Sequence, residues 1–248
     1  MEQLKVRLPQ LGALALIVAL WVALTGRGVI HPLILPAVPS VLDAFVELIQ
    51  TPETYQHLRV TFYEFAVAFA VSLSAGLAAG CLLGWVAPLG VIFGPLLQSI
   101  YAIPVIIFYP LCILIFGIGP ASKMAFAGFY GFFPIAITCM EGVRNIDPNV
   151  LVLTRSLGAP WYRLWYKVII PSAVPTIVAG VRLGLILTLI AVVAGEMIAA
   201  KEGIGSRIAW ASEIFNAPAL YAYILFVILL IAVINGLLAA LERRVQWE

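Results

Sequence analysis

The sequence predicts an all-α integral membrane protein with six transmembrane helices, and composition, run length and one polar interruption predict it. Of 248 residues, 63% are hydrophobic and 10% are charged, and the mean hydropathy is +1.09. Soluble domains carry about 25% charged residues, so composition excludes a soluble domain. The apolar residues gather into six runs near the ~20-residue length that crosses a hydrocarbon core. Between the fourth and fifth runs the chain turns polar and aromatic, reading RNIDPNVLVLTRSLGAPWYRLWYKVIIP from Arg144 to Pro171. The net charge of +2 and the thin spread of 14 basic residues leave no footprint for nucleic acid.

The first run, about Leu11 to Thr25, follows Lys5 and Arg7 and has the look of a signal peptide. No small-residue cleavage site comes after it, so it reads as a retained anchor. From Gly26 to Leu58 the chain is punctuated by proline and holds one short amphipathic helix, Ser40 to Gln50, with Asp43 and Glu47 on its wet side. The second run, about Thr61 to Val86, carries Ser72, Gly76, Gly80 and Gly84 at successive i+4 positions. Such a small-residue stripe admits another helix backbone to backbone, within the chain or across a subunit interface.

The third run, about Gln98 to Phe116, is broken by Pro104 and Pro110, and the fourth, about Ala121 to Gly142, contains Pro134. Proline frees carbonyls that neighbours or water must satisfy, and broken helices line pathways more readily than they face lipid. The fifth run, about Ala173 to Ala199, contains Arg182 and Glu196, and the sixth runs from about Pro218 to Leu241. Arg182, about 11 residues past Pro171, is close enough to the cytoplasmic side for its stem to snorkel, and Glu196 is near the other end. Roughly 21 Å of helix separates them, so they do not pair with each other.

Within the interruption, Asp147 followed by Pro148 is an N-cap with proline at the first helical position, and Gly158 supplies an αL stop. A second start follows at Pro160, and Pro171 and Pro175 limit how far that helix runs. Trp161, Leu164, Trp165 and Val168 fall at i, i+3, i+4 and i+7, with Arg163 and Lys167 on another face. That pattern suits a helix in the plane of a membrane surface, indoles at headgroup depth and cations toward water.

Gly158, with Val168, Ile170 and Pro171 downstream of it, resembles the cytoplasmic loop signature of the permease subunits of ATP-binding-cassette importers. The Glu-Ala-Ala triplet that opens the family signature would fall on Val152, Leu153 and Thr154, so the acidic start is missing. LPAVPSVLDAFVEL at 35 to 48, QSIYAIPVIIFYPLCILIFGIG at 98 to 119, FFPIAITCMEGVRNIDP at 132 to 148 and the closing LERRVQW resemble the nitrate, sulfonate, taurine and bicarbonate branch. The resemblance implies a type I importer permease fold with a coupling-helix loop between helices 4 and 5. It also implies two copies of a cytoplasmic ATPase, an extracytoplasmic solute-binding protein and a second copy of this chain. The division it suggests is 1–57 for the anchor and extracytoplasmic segment, 58–242 for the permease domain with its coupling loop at 144–171, and 243–248 for a cytoplasmic tail. Asp147, Thr154, Arg155, Ser156, Gly158, Ala159 and Pro171 would then couple to the ATPase, and Gln98, Tyr101, Pro104, Tyr109 and Glu196 are candidates for the translocation pathway.

With the N-terminus inside, eight basic residues fall in cytoplasmic segments and five, Arg27, Arg59, Lys123, Lys201 and Arg207, outside, leaving Arg182 in the membrane. That agrees with the positive-inside rule and puts 144–171, both termini and an ATPase on the cytoplasmic side of an inner membrane. Cys81, Cys112 and Cys139 each sit in an apolar run and read as small buried side chains, and His31 and His57 have no second ligand at useful spacing, so no metal site is expected. No G-x-x-x-x-G-K-[ST] occurs, so ATP belongs on a partner and this chain needs no cofactor and catalyses no reaction. A membrane hydrolase lacks its nucleophile and base. An ion-coupled carrier is the alternative, resting on Glu64, Glu141 and Glu196 near the ends of runs. For substrate, Tyr101 stands where related permeases carry a basic residue, and with Phe108, Tyr109, Phe129 and Tyr130 it suggests a passage for a small anion or a planar, weakly charged molecule.

Overall fold

The computed structural model describes the backbone of residues 2–146, 148–156, 158 and 160–245, and within these the side chains other than those of 2–8, 10, 11, 14, 148, 151, 155, 161 and 241–245. The described residues contain helices and no strand: α1 (Glu2–Gly26), α2 (Val38–Gln50), α3 (Pro52–Trp85), α4 (Ala87–Tyr101), α5 (Tyr109–Phe116), α6 (Pro120–Arg144), α7 (Pro148–Ser156), α8 (Trp161–Leu164), α9 (Ile170–Ala199), α10 (Ile204–Glu213) and α11 (Ala217–Val245). Four helices are long and apolar enough to cross a membrane, and the pair Ala87–Tyr101 and Val105–Phe116, bent by 90°, makes a fifth if counted as one span. The first expected span lies in α1, a helix of 25 residues whose described apolar part, Ala15–Gly26, is shorter than a span.

The core is a three-helix slab of α3, α6 and α9. A Cβ at Gly76 would stand 2.8 Å from Ile135 Cβ, at Gly80 2.5 Å from Cys139 Cβ and at Gly84 2.7 Å from Val143 Cβ. Both partners rise together along this seam, so α3 and α6 run parallel, with the bent pair carrying the chain back between them. The small-residue stripe is therefore a seam within the chain, and Ser72 Oγ closes it by donating to Gly128 O at 2.8 Å. On the other side of α6, Gly131 meets Thr188 and Gly184, and Gly142 meets Ala173 and Thr176, which makes α9 antiparallel. Glycine at a crossing lets backbones touch where lipid supplies no hydrophobic drive for association. α6 is the central helix, 67% of its most apolar window being buried, against 11% for α11.

Four features depart from the sequence expectation. α3 begins at Pro52, because Thr51 is extended and Pro52 fits the first turn. The third span starts with α4 at Ala87 rather than at Gln98, and it breaks at Ala102–Pro104 before a 3₁₀ turn, Val105–Phe108, with Pro110 in the first turn of α5. The second loop helix does not stop at Pro171: α8 passes through a π-helical turn, Trp165–Ile169, straight into α9. A wide turn there fits proline's missing N–H and its clash with the preceding turn. The face expected to lie in the membrane surface packs on the chain itself. Leu164 and Ile169 are buried with Val143, Ile146 and Ala173, and the Trp165 ring lies 4.4 Å from that of Trp85. Trp161 lies outside the described side chains.

The charged residues also found partners where snorkelling was expected. Arg182 Nε donates to Asn235 Oδ1 at 2.5 Å, tying α9 to α11. Lys123, expected in an outer loop, is 3% exposed on α6 and pairs with Glu64 at 2.5 Å. At the far end of α1, Trp21 Nε1 donates to Pro36 O at 2.9 Å, and Tyr221 Oη donates to Ile34 O at 3.0 Å, so the segment between α1 and α2 is pinned to α11.

Candidate functional site

The slab has two poles. One carries the loop between α6 and α9. Here α7 is a nine-residue helix that starts at Pro148 and is followed by Gly158 at φ 69, the αL conformation expected of the stop residue. Val150, Val152 and Leu153 are 40%, 64% and 62% exposed, so α7 offers apolar side chains outward. Thr154 Oγ1 donates to Val150 O at 2.7 Å and Ser156 Oγ to Val152 O at 3.0 Å, so both hydroxyls turn back onto their own helix. Asp147 and Ala159 lie outside the described residues, as does the side chain of Arg155 and the end of the tail, 246–248. Pro171 sits in the first turn of α9. The cluster of Val143, Ile146, Leu164, Ile169 and Ala173 makes one core from the end of α6, α8 and the start of α9, and α7 packs against α8.

Beside this pole a recess of about 450 Å³ is lined by Gly90, Gly94, Gln98, Met140, Glu141, Arg144 and Asn145, among others. One turn further along α4, Tyr101 lies 6.0 Å from the Phe133 ring and 6.2 Å from that of Tyr130, and Phe108 lies 5.3 Å from Phe129. Gln98 and Tyr101, three residues apart on α4, thus both face α6, whereas Pro104 is exposed at the bend. Tyr109 and Glu196 do not join them. Tyr109 is 1% exposed and donates its hydroxyl to Gly195 O at 3.0 Å, and Glu196 is 0% exposed. Both are taken up by the interior, because each meets a partner there that offsets the cost of burying its polar group.

The opposite pole holds a buried polar cluster at the start of α10. A helix begins with N–H groups that lack an intrahelical acceptor. In α10 these are taken by side chains from other helices: Gly203 N–H donates to His57 Nδ1 at 3.1 Å, Ile204 N–H to Thr61 Oγ1 at 2.9 Å, and Gly205 N–H to Glu196 Oε2 at 2.8 Å. Thr61 Oγ1 itself donates to Glu196, 2.8 Å from Oε1 and 3.0 Å from Oε2. A carboxylate at the positive end of a helix is favourably placed. The glycines are required: Gly203 has φ 102, and a Cβ there or at Gly205 would overlap Glu196 or the carbonyl of Val193. Glu64, one turn beyond Thr61 on α3, adds α6 to the cluster through Lys123. Gly-Ile-Gly before a short helix is the signal in the sequence that marks this site, though as a sequence it reads only as loop glycine. Among the described residues no group of three metal-ligating side chains occurs.

Residues 72–247 match the family described as the inner membrane component of binding-protein-dependent transport systems. The chain belongs to this family. Over 94% of its length the permease is 29% identical to a Bacillus subtilis protein named as an aliphatic sulfonates transport permease, of which it covers 85%. It is 27% identical to the taurine transport system permease protein of Escherichia coli, over 94% of this chain and 87% of that one. The formylaminopyrimidine transport permease protein of Halalkalibacterium halodurans is also 27% identical, over 87% of this chain and 85% of that one. Among solved structures, a methionine ABC transporter in an inward-facing conformation matches with TM-score 0.65 and 21% identity, over 75% of this chain and 93% of that one. An amino acid ABC transporter solved with histidines matches with TM-score 0.65 and 18% identity, over 81% and 98%. At these identities the structures share the fold with the permease. It is a non-catalytic, multi-pass subunit of an ABC importer in the inner membrane, with ATP hydrolysed on a partner subunit and solute delivered by a binding protein.

Proposed function

We propose that two copies of the permease form the passage, that both termini are cytoplasmic, and that two ATPase subunits grip the passage through α7. The observation that supports this most is the contrast between α7 and its base. An exposed apolar helix in water is costly unless a partner covers it, and this one packs against α8, whose Leu164 is buried with Val143 of α6 and Ala173 of α9, so force applied to it reaches two central helices by way of α8. The mechanism is alternating access: ATP binding draws the ATPases together, and their differential affinity for the two states of the permease shifts its population.

Gly158→Val tests the loop. A β-branched residue resists φ 69, so α7 is misplaced while the spans still insert. ATPase assembly or transport-coupled hydrolysis is expected to fail in this variant, and wild-type coupling would count against the docking role.

The opposite pole would then face the binding protein, with 26–57, 117–122 and 200–217 contributing. Asn216, exposed at the end of α10, is a suitable crosslinking position; Ser206 is not, being buried and bonded to Gly203 O at 2.7 Å. Crosslinks from Asn216 to the binding protein support this orientation, and crosslinks to the ATPase overturn it. The solute is a small anion or a planar heterocycle, as the relatives' names and the Tyr101–Phe133 ring pair suggest. The ligand that the binding protein retains on purification decides between them. With a heterocycle, Tyr101→Ala slows uptake without loss of assembly; with an alkyl sulfonate, the role given to Tyr101 falls.

A further inference from the structure

The start of α10 is held in a way that ordinary loop helices are not. Its leading N–H groups are accepted by His57 and Thr61, one turn apart on α3, and by Glu196, in the last turn of α9. None of these acceptors belongs to α10 itself. Thr61 is central to the arrangement, since its single hydroxyl accepts from Ile204 N–H and donates to Glu196. At 1% exposure for Thr61 and 0% for Glu196, water does not substitute for either. The far end of α10 points away from this cluster and carries exposed groups, Trp210 at 42% and Phe215 at 73%, with the Arg207 guanidinium 4.4 Å over the Trp210 ring.

Along its inner face α10 packs through Ile204, Ile208 and Ala211 on Leu48, Val193, Ala222 and Tyr223, and its start is hydrogen-bonded to two spanning helices, α3 and α9. We infer that Thr61 and Glu196 form the joint through which load on α10 reaches α3 and α9, so that a binding protein seated on α10 raises the ATPase rate only while this joint is intact. The inference rests on the proposed docking of the binding protein at this pole. Thr61 and Glu196 are positioning residues: they touch neither solute nor nucleotide and act by fixing α10 to the slab. Sequence separation hides the joint, because its parts lie 135 and 143 residues apart.

Thr61→Val tests it, since valine keeps the shape and removes both the donor and the acceptor. The measurement is ATP hydrolysis by the permease–ATPase complex in lipid nanodiscs, with and without saturating binding protein, together with the affinity for the binding protein. The expected result is an unchanged basal rate and affinity, a loss of stimulation of about tenfold, the size of an ordinary coupling free energy, and recovery in Thr61→Ser. Wild-type stimulation in Thr61→Val would overturn the joint, as would a fall of basal and stimulated rates by one common factor, which marks a merely structural role. If the valine variant does not assemble, the ratio of stimulated to basal rate is read in Glu196→Gln, and a wild-type ratio there overturns the inference. Trp210→Glu checks the docking separately. Weaker affinity for the binding protein upholds the dock, and unchanged affinity removes it and the relay with it, even where Thr61→Val lowers the stimulated rate.

Discussion

Gly203 meets two demands at once: a backbone at φ 102 and no room for a Cβ beside Glu196. Gly203→Ala is therefore expected to lower stability by about 1–3 kcal/mol from backbone strain, with displacement of the carboxylate added to it. Gly236 on α11, with open space around it, is the control, and Gly236→Ala should not destabilise. Thermal unfolding of the detergent-solubilised protein, followed by tryptophan fluorescence, measures both. The Glu64–Lys123 pair gives a sharper contrast. Glu64→Gln leaves a buried ammonium without its counter-charge and is expected to cost about 3–5 kcal/mol, whereas Glu64→Leu with Lys123→Met returns to near wild type. Equal losses in the single and double variants would contradict the pairing. At this scale the sequence is read least well. Sequence position puts Lys123 in an outer loop and Arg182 within snorkelling reach, because position along a hydrophobic run says how deep a charge sits but not which distant residue meets it. Glu64, Asn235 and the N–H groups of α10 come to these side chains only through tertiary packing.

Helices were legible where a run, its caps and its prolines agreed, as in α2, α6 and α7. Gly158 announced the end of α7 because few residues other than glycine tolerate its backbone. The misreadings were at boundaries where a proline allows two outcomes. Pro104 and Pro110 did break the third span, yet the break opened into a 90° bend, and the apolar pair that passes as one span begins at Ala87 rather than Gln98. Pro171 and Pro175 limit the second loop helix as a sequence, whereas in the structure a π-helical turn carries the chain past Pro171. As a result α8 and α9 form one continuous arm, which under the proposed coupling role would pass load from the loop into α9. Trp165→Ala removes the ring pair with Trp85, worth about 0.5–1.5 kcal/mol beyond its area, from the base of that arm. The expected outcome is normal insertion and ATPase binding with fewer solute molecules moved per ATP. An unchanged ratio would mean that the base carries no coupling.

Taken as a whole, the permease is a slab of α3, α6 and α9 with a different device at each pole. Glycine contacts bring the slab's backbones close together, and closely packed interiors transmit strain, so a small shift at one pole is expected to be carried along the helices. The coupling loop at one pole and the clamped α10 at the other are then two handles on the same body. Fold class and family were legible early because membrane composition confines the architecture and the loop signature is local in sequence. The second handle was not, since it is assembled from α3, α9 and a Gly-Ile-Gly turn that means little by itself. The most direct test of this account is solute uptake into proteoliposomes containing the permease, with binding protein, ATPase subunits and ATP supplied or withheld one at a time. Uptake should require all three and stop when any one is withheld; uptake that persists without the ATPase and follows an ion gradient would contradict the account and make the protein an ion-coupled carrier.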